Sequence, residues 1–484
     1  MRKALFTVAL LVVLLVSTAA ASTASAANGN SPERIFVEVD GPITSGVLDQ
    51  LKANGLNVLY VFDEIGFVAG IANDKDLKRI SRLKFVKNVG EDVQVFATSE
   101  TLPSASPYGF GRYTWNLDMI NVPTVHEEMG YTGKGVYVAV LDTGLVPNWR
   151  DYFEEDRIAT EFGRAFLAVS LNAHYNPNAW EADTHGHGTH VTSTIIGFWV
   201  YDFYRVSGVA PDVKIIPVKV LHNTGSGWTT DIAAGILYIA DLYKKEKESG
   251  GKVLPPEDEI NPIVISMSLG GPVLSQIEKA AIDYAIDQGV FIVAAAGNDG
   301  ELGMDYPGAY EPVISVGAAG WVGEWIFNNT VSGAWWIRSD VPEDLYKQVY
   351  VTDFSGREKE GQDLDVLAPG SWVVGPYPAY GAAHPPYWAQ GVPGQYYFLG
   401  GTSMATPHVS GIVALMLQKD MEDGKIDLTQ AEVENILENT AMPITWYSAW
   451  VINPSTGQPE EVTWGPDAVG SGLVQADAAV GAVG

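Results

Sequence analysis

Apolar residues recur along this chain with two periods, and the period assigns each stretch to an element. Arg34 to Val39 alternates apolar and polar positions as a half-buried strand does. Ile43 to Ala53 has the three-to-four-residue spacing of a helix that stops near Gly55. Leu56 to Ala72 reads as two strands turning near Asp63-Glu64, Asp74 to Lys84 as a second amphipathic helix, and Phe85 to Val95 as strand again. From about Gly111 the pattern changes to continuous apolar runs: Gly135 to Leu141, Val213 to Leu221, Pro262 to Leu269, Val290 to Ala296 and Val313 to Ala318. Helical periods accompany them at His190 to Ile196, Thr230 to Tyr243, Ser275 to Gln288 and Ser403 to Lys419.

Two regimes predict two folds. The first order, βαββαβ, is that of a small ferredoxin-like α+β unit. The second predicts an α/β domain, because strands without alternation are buried on both faces of a parallel sheet flanked by helices. Ligands then bind beyond the carboxyl ends of the strands, where Asp142, Ser268 and Asn298 fall. A leader precedes both units: Arg2 and Lys3, the apolar run Ala4 to Val16, and the small-residue cleavage pattern Ala24-Ser-Ala26. The run is too short to serve comfortably as a membrane anchor. The expected organisation is a signal peptide over 1–27, a small domain over 28–103, and a large domain over 104–484. The Ser-, Thr- and Pro-rich stretch from Thr98 to Tyr108 is the linker.

Composition narrows the partners. The chain has no cysteine, so an exported protein of this sequence is stabilised by packing or bound ions and not by disulfides. Residues 101–484 hold 19 basic against 47 acidic side chains, a net of −28. That surface disfavours nucleic acid and anionic lipid and favours solubility, salt tolerance or calcium.

Three strings carry the chemistry: Val-Leu-Asp142-Thr-Gly, His187-Gly-Thr-His-Val and Gly-Thr-Ser403-Met-Ala-Thr-Pro. They supply an acid, a base and a hydroxyl in the order Asp, His, Ser, one of the chain orders in which hydrolase triads occur. Ser403 needs a base to become a nucleophile, and its place at a helix start favours negative charge nearby. Gly400 and Gly401 admit a substrate backbone, and Pro407 is read in the first helical turn, where a missing N–H is tolerated. A zinc protease would need His-Glu-x-x-His, which is absent although His185, His187 and His190 crowd together. An aspartic protease would need a second Asp-Thr-Gly, and the chain has one.

The strings resemble those of the subtilisin-like serine proteases, and the resemblance extends over nearly all of residues 28–484. It implies that His187 is the general base, Asp142 its orienting acid, Ser403 the nucleophile, and Asn298, in Ala-Gly-Asn-Asp-Gly, the side-chain oxyanion donor. His190 would face the core. Ser268-Leu269-Gly270 and Gly225-Ser226-Gly227 would be the two edges that hold an extended substrate. The small domain would be an inhibitory propeptide, removed by the enzyme itself between about 96 and 106. The protein would be a secreted, monomeric endopeptidase acting on proteins and peptides, with no cofactor in its chemistry and calcium as a structural ion at an unassigned site. The sedolisin relatives, which lack the histidine, are disfavoured by His187-Gly-Thr-His. A catalytically silent scaffold or peptide-binding protein with this fold is the alternative.

Several segments depart from the family pattern. Gly197 to Ser207 is aromatic where the family often has a polar calcium loop, and the acidic stretch Asp151 to Asp156 is read as solvated. The loop at 299–305 is short, which leaves primary specificity open. Inserts at about 321–350 and 371–398, rich in Trp and Tyr, are read as covering the core. Asn328-Asn-Thr330 has the form of a glycosylation sequon.

Overall fold

In a computed structural model, the described residues are 33–62, 66–91, 112–167, 176–201, 204–256, 259–327, 330–331, 336, 341–377, 396–454 and 456–484. The expected leader, the expected linker and cleavage region, the expected turn at Asp63-Glu64 and the sequon's asparagines lie outside them, as do parts of both aromatic inserts. The chain divides into two compact units, Met1–Pro103 and Ser104–Gly484.

In the first unit, β1 (Glu33–Val39), β2 (Asn57–Phe62), β3 (Phe67–Ala72) and β4 (Val86–Glu91) form an antiparallel sheet in the order β2-β3-β1-β4. Helices α1 (Ser45–Ala53) and α2 (Asp74–Ile80) connect them. Thr44 and Asn73 cap these helices by accepting from backbone N–H groups that would otherwise lack partners. The second helix is shorter than its pattern suggested, because residues 81–84 leave the helix to turn into β4. Ile35, Val37, Leu51, Val68 and Ile80 form the core.

The second unit is built on a predominantly parallel sheet. Its strands are β5 (Tyr137–Asp142), β6 (Arg164–Ala165), β9 (Lys214–Lys219), β10 (Ile263–Met267), β11 (Phe291–Ala295) and β12 (Ile314–Trp321). They run in the order β12-β11-β10-β5-β9-β6, with Val349–Val351 antiparallel and Val366–Pro369 parallel to β12. Between β6 and β9, the aromatic stretch folds as a hairpin of β7 (Gly197–Val200) and β8 (Tyr204–Ser207).

The inner strands bury both faces. In β5, Val138 and Val140 enter one core and Tyr137, Ala139 and Leu141 the other. In β11, Phe291 and Val293 oppose Ile292 and Ala294 in the same way. Helices His187–Ile196 and Thr402–Asp420 cover the first face, and helices Thr229–Ser249 and Gln276–Asp287 the second. The expected parallel sheet with helices on both faces is therefore the observed fold. The third of these helices runs six residues past Tyr243, to an αL glycine at Gly250.

The described parts of the aromatic inserts add to the first core. Trp325 lies 5.0 Å from Phe398 and 5.4 Å from Trp372, ring centre to ring centre, and Trp336 is buried beside them.

Candidate active site

The central strand ends at Asp142, whose side chain is fully buried. One oxygen accepts from Thr143 N–H at 2.6 Å, and both lie 2.9 Å from His187 Nδ1. His187 is the first residue of its helix, and Gly186 before it has φ +92°, a left-handed turn that a side chain would strain. The ring is thus held from a helix start against a strand end. Burial disfavours the imidazolium, but Asp142 and then Asp183 outweigh it, so the pKa lies above the ordinary histidine value.

Asp183 belongs to none of the strings, nor does Lys219 beside it. It is buried and accepts from His185 N–H, Gly186 N–H and the Thr143 hydroxyl at 2.8–2.9 Å. Lys219, also buried, stands 3.9 Å from it at the end of β9 and donates to Thr143 O and Asn223 Oδ1. Burial raises the Asp183 pKa, and burial likewise lowers that of Lys219. One sequence signal was available: a lysine inside the apolar run Val213 to Leu221 has no water to face.

Ser403 is the second residue of helix Thr402–Asp420. Its hydroxyl donates to Ser268 O at 3.2 Å, and no hydrogen bond joins it to His187 among the described residues. The Ser268 hydroxyl in turn donates to Ser403 O at 2.8 Å. This second bond corrects the reading of Pro407. The helix begins at Thr402, so Pro407 sits inside it and not in its first turn. It removes the N–H that Ser403 O would receive four residues on, and the Ser268 hydroxyl supplies a donor instead.

Asn298 follows β11. Its Oδ1 accepts from Thr402 N–H at 2.9 Å and from the Thr402 hydroxyl at 3.1 Å, which fixes the amide with Nδ2 as the free donor end. A Cβ built on Gly401 would lie 3.6 Å from Ser403 N and 3.8 Å from Asn298 Nδ2. Both donors therefore border one space over Gly401.

Of the expected edges, Gly225 has φ +77°, and a Cβ there would come within 2.6 Å of His185 Nε2. Ser226 O accepts from His222 N–H, and Gly227 bridges to Leu221, making a tight loop after β9. Leu269 and Gly270 continue beyond β10, and Gly271 exchanges two backbone hydrogen bonds with Tyr306. His190 is buried and its Nε2 lies 3.1 Å from Val373 O. His185 Nδ1 is 3.3 Å from the Tyr377 hydroxyl.

A donor set for a hard cation lies elsewhere. Asp363, Asp365 and Glu434 bring ligand oxygens within 4.8 Å of one another. Asp365 Oδ2 accepts from Ser315, whereas its buried Oδ1 has no hydrogen-bond partner. Burial, with neighbouring carboxylates adding to it, raises Asp365 to about 8 and Glu434 to about 7. The acidic stretch Asp151 to Asp156 is less free: Glu155 pairs with Arg150 at 2.9 Å, and Glu154 with Arg205 at 3.4 Å.

A subtilase-family model matches residues 133–473, most of the chain. The chain belongs to the subtilase family. Subtilisin E of Bacillus subtilis (strain 168) is 30% identical over 397 residues, 81% of this chain and 80% of that protein. M-protease of Shouchella clausii (strain KSM-K16) is 26% identical over 454 residues, 91% and 94% of the two chains. The thermostable alkaline protease of Halalkalibacterium halodurans is 28% identical over 408 residues, 84% and 87%. This subtilase is accordingly a serine endopeptidase acting on protein substrates, and such chemistry requires no cofactor. Among the described residues, no helix of the subtilase is long and apolar enough to cross a membrane.

Proposed function

We propose that the protein is a secreted pre-pro-enzyme that cleaves peptide bonds with Asp142, His187 and Ser403. The observation that carries this reading is the 2.9 Å contact of His187 Nδ1 with both oxygens of buried Asp142. It leaves Nε2 as the imidazole's remaining base.

An extended substrate lies between 225–227 and 268–270. The Ser403 hydroxyl leaves Ser268 O, and Oγ attacks the peptide carbonyl carbon while His187 Nε2 takes its proton. Asp142 keeps Nδ1 protonated and stabilises the imidazolium. The oxyanion accepts from Ser403 N–H and from Asn298 Nδ2, whose amide Thr402 orients in advance. As the C–N bond breaks, His187 returns the proton to the leaving amine. Water, deprotonated by the same imidazole, then hydrolyses the acyl-serine ester. The unit over 28–103 acts as an inhibitory propeptide cut by the enzyme itself, and the mature protein works outside the cell as a monomer.

Structural calcium would be held by Asp363, Asp365 and Glu434, since a cation would give Asp365 Oδ1 the partner it lacks. Calcium is then expected to raise the melting temperature of the wild type and not of Glu434→Gln; equal shifts in both would assign calcium elsewhere.

The test of the main reading follows chain length and casein cleavage for residues 28–484. Wild type should shorten near residue 100 and digest casein. Ser403→Ala should stay full-length, with turnover lower by on the order of 10⁶, the size known for removing a subtilisin's serine. Casein cleavage by the mutant would overturn the assignment of Ser403. A folded wild type that neither shortens nor digests casein would favour the silent-scaffold alternative.

A further inference from the structure

The hairpin of Ser448–Asn453 and Gln458–Thr463 stands against the strand Val349–Val351, with Trp446 Nε1 donating to Val349 O at 2.8 Å. Its register pairs Val451 with Glu460 and Ala449 with Val462, so these four side chains share one face. Val451, Glu460 and Val462 from that face close a 420 Å³ pocket whose other side includes Phe354, Phe398 and Gly400. Gly400 stands three residues before Ser403. Phe354 O accepts from Gly300 N–H at 2.9 Å, which ties this wall to the loop that carries Asn298.

The order of the sheet separates the pocket from the two edges expected to hold a substrate. The edges at 225–227 and 268–270 follow β9 and β10, on either side of β5. Asn298 follows β11, one strand further. One wall of the pocket is Thr352 to Phe354 with Ser371 and Trp372, which follow the strands Val349–Val351 and Val366–Pro369 paired with β12, and the pocket shares no residue with either edge. In strand order the two edges therefore stand on one side of Asn298, and the pocket stands on the other.

Its chemistry is equally one-sided. Aromatic and aliphatic groups line it, Trp372 among them, and Asp353 and Glu460 supply two carboxylates. Asn453 Nδ2 donates to Glu460 Oε2 at 3.0 Å and fixes that carboxylate. No lysine, arginine or histidine is among the described lining residues. Such walls suit a long aliphatic stem with a cationic head.

We propose that the two edges hold the acyl portion of a substrate and that this pocket binds a lysine or arginine side chain on the leaving-group side of the scissile bond, with Glu460 as a specificity-determining residue. The proposal rests on the proteolytic reading above, and its test separates the two. Internally quenched peptides carrying Lys, Ala or Glu at each of the first three leaving-group positions are compared by kcat/KM. A p-nitroanilide with the same acyl portion, which has no leaving-group residue, is measured alongside. Wild type should prefer Lys over Ala by about fivefold at one position, the scale of one partly exposed ion pair. Glu460→Gln should bring that ratio near one, and Glu460→Lys should shift the preference to Glu. Equal rates for the three peptides in wild type, or a lysine preference unchanged in both variants, would overturn the proposal. Cleavage of neither the anilide nor any peptide would overturn the proteolytic reading instead.

Discussion

Lys219 is the residue whose surroundings most constrain it. Its side chain is 3% exposed and Asp183 is fully buried, so the two charges are compensated by each other and by a short list of dipoles. Replacing Lys219 with Met removes the cation and leaves Asp183 with three hydrogen-bond donors. Breaking a buried pair in this way costs about 3–5 kcal/mol, more than the pair itself contributes, because an uncompensated charge remains. Lys219→Met is therefore expected to lower stability to denaturant by about 3 kcal/mol. Adding Asp183→Asn should recover part of that loss, since the stranded charge is then gone. Asp183 also receives the N–H groups of His185 and Gly186, immediately before His187. The single mutant should accordingly lose kcat as well as stability. Full kcat in a folded Lys219→Met protein would show that the pair does not position the imidazole.

Helix Thr402–Asp420 illustrates how an element can be legible in the sequence while its closure is not. Glycines, a serine and a following apolar run marked its start to within one residue, because those signals are local. The partner of Ser403 O was not readable, since Ser268 is 135 residues distant and a proline's missing N–H does not say who replaces it. The same division holds elsewhere. β5, β10 and β11 were evident from continuous apolar runs. Asp142, His187, Ser403 and Asn298 stood out through short strings, but Thr402, Thr143 and Asp183 act through contacts across elements. The hairpin at 448–463 is not legible because exposed Trp450 stands between inward-facing Ala449 and Val451 and erases the alternation of a half-buried strand. Ser268→Ala should cost about 1–2 kcal/mol by removing the donor to Ser403 O. In the Pro407→Ala background the new N–H can reach that carbonyl through the helix, so the same substitution should cost less. Equal costs in both backgrounds, measured by chemical denaturation, would show that the serine does not stand in for the missing N–H.

Across the whole molecule, the acidic excess and the absence of cysteine put stability in the hands of packing and of how buried carboxyls titrate. Glu324 is the clearest case away from the proposed calcium ligands. It is 2% exposed, accepts from Tyr350 at 2.8 Å, Ser371 at 2.9 Å and Trp321 N–H at 3.2 Å, and joins the aromatic insert to the sheet. Burial outweighs those three bonds and raises its pKa to about 8, from an ordinary 4.5. Between these values the folded chain keeps a proton that the unfolded chain releases. The stabilisation is complete below the ordinary value and is lost as pH rises through about 8. One such group contributes a slope of at most about 1.4 kcal/mol per pH unit. Glu324→Gln keeps the shape of the protonated acid and cannot ionise, so its stability between pH 5 and 8 should fall less steeply than that of the wild type. Urea unfolding of Ser403→Ala proteins, which removes self-digestion from the measurement, compares the two slopes directly. Parallel curves would mean that Glu324 is ionised in the folded chain throughout that range, and that its three donors outweigh its burial.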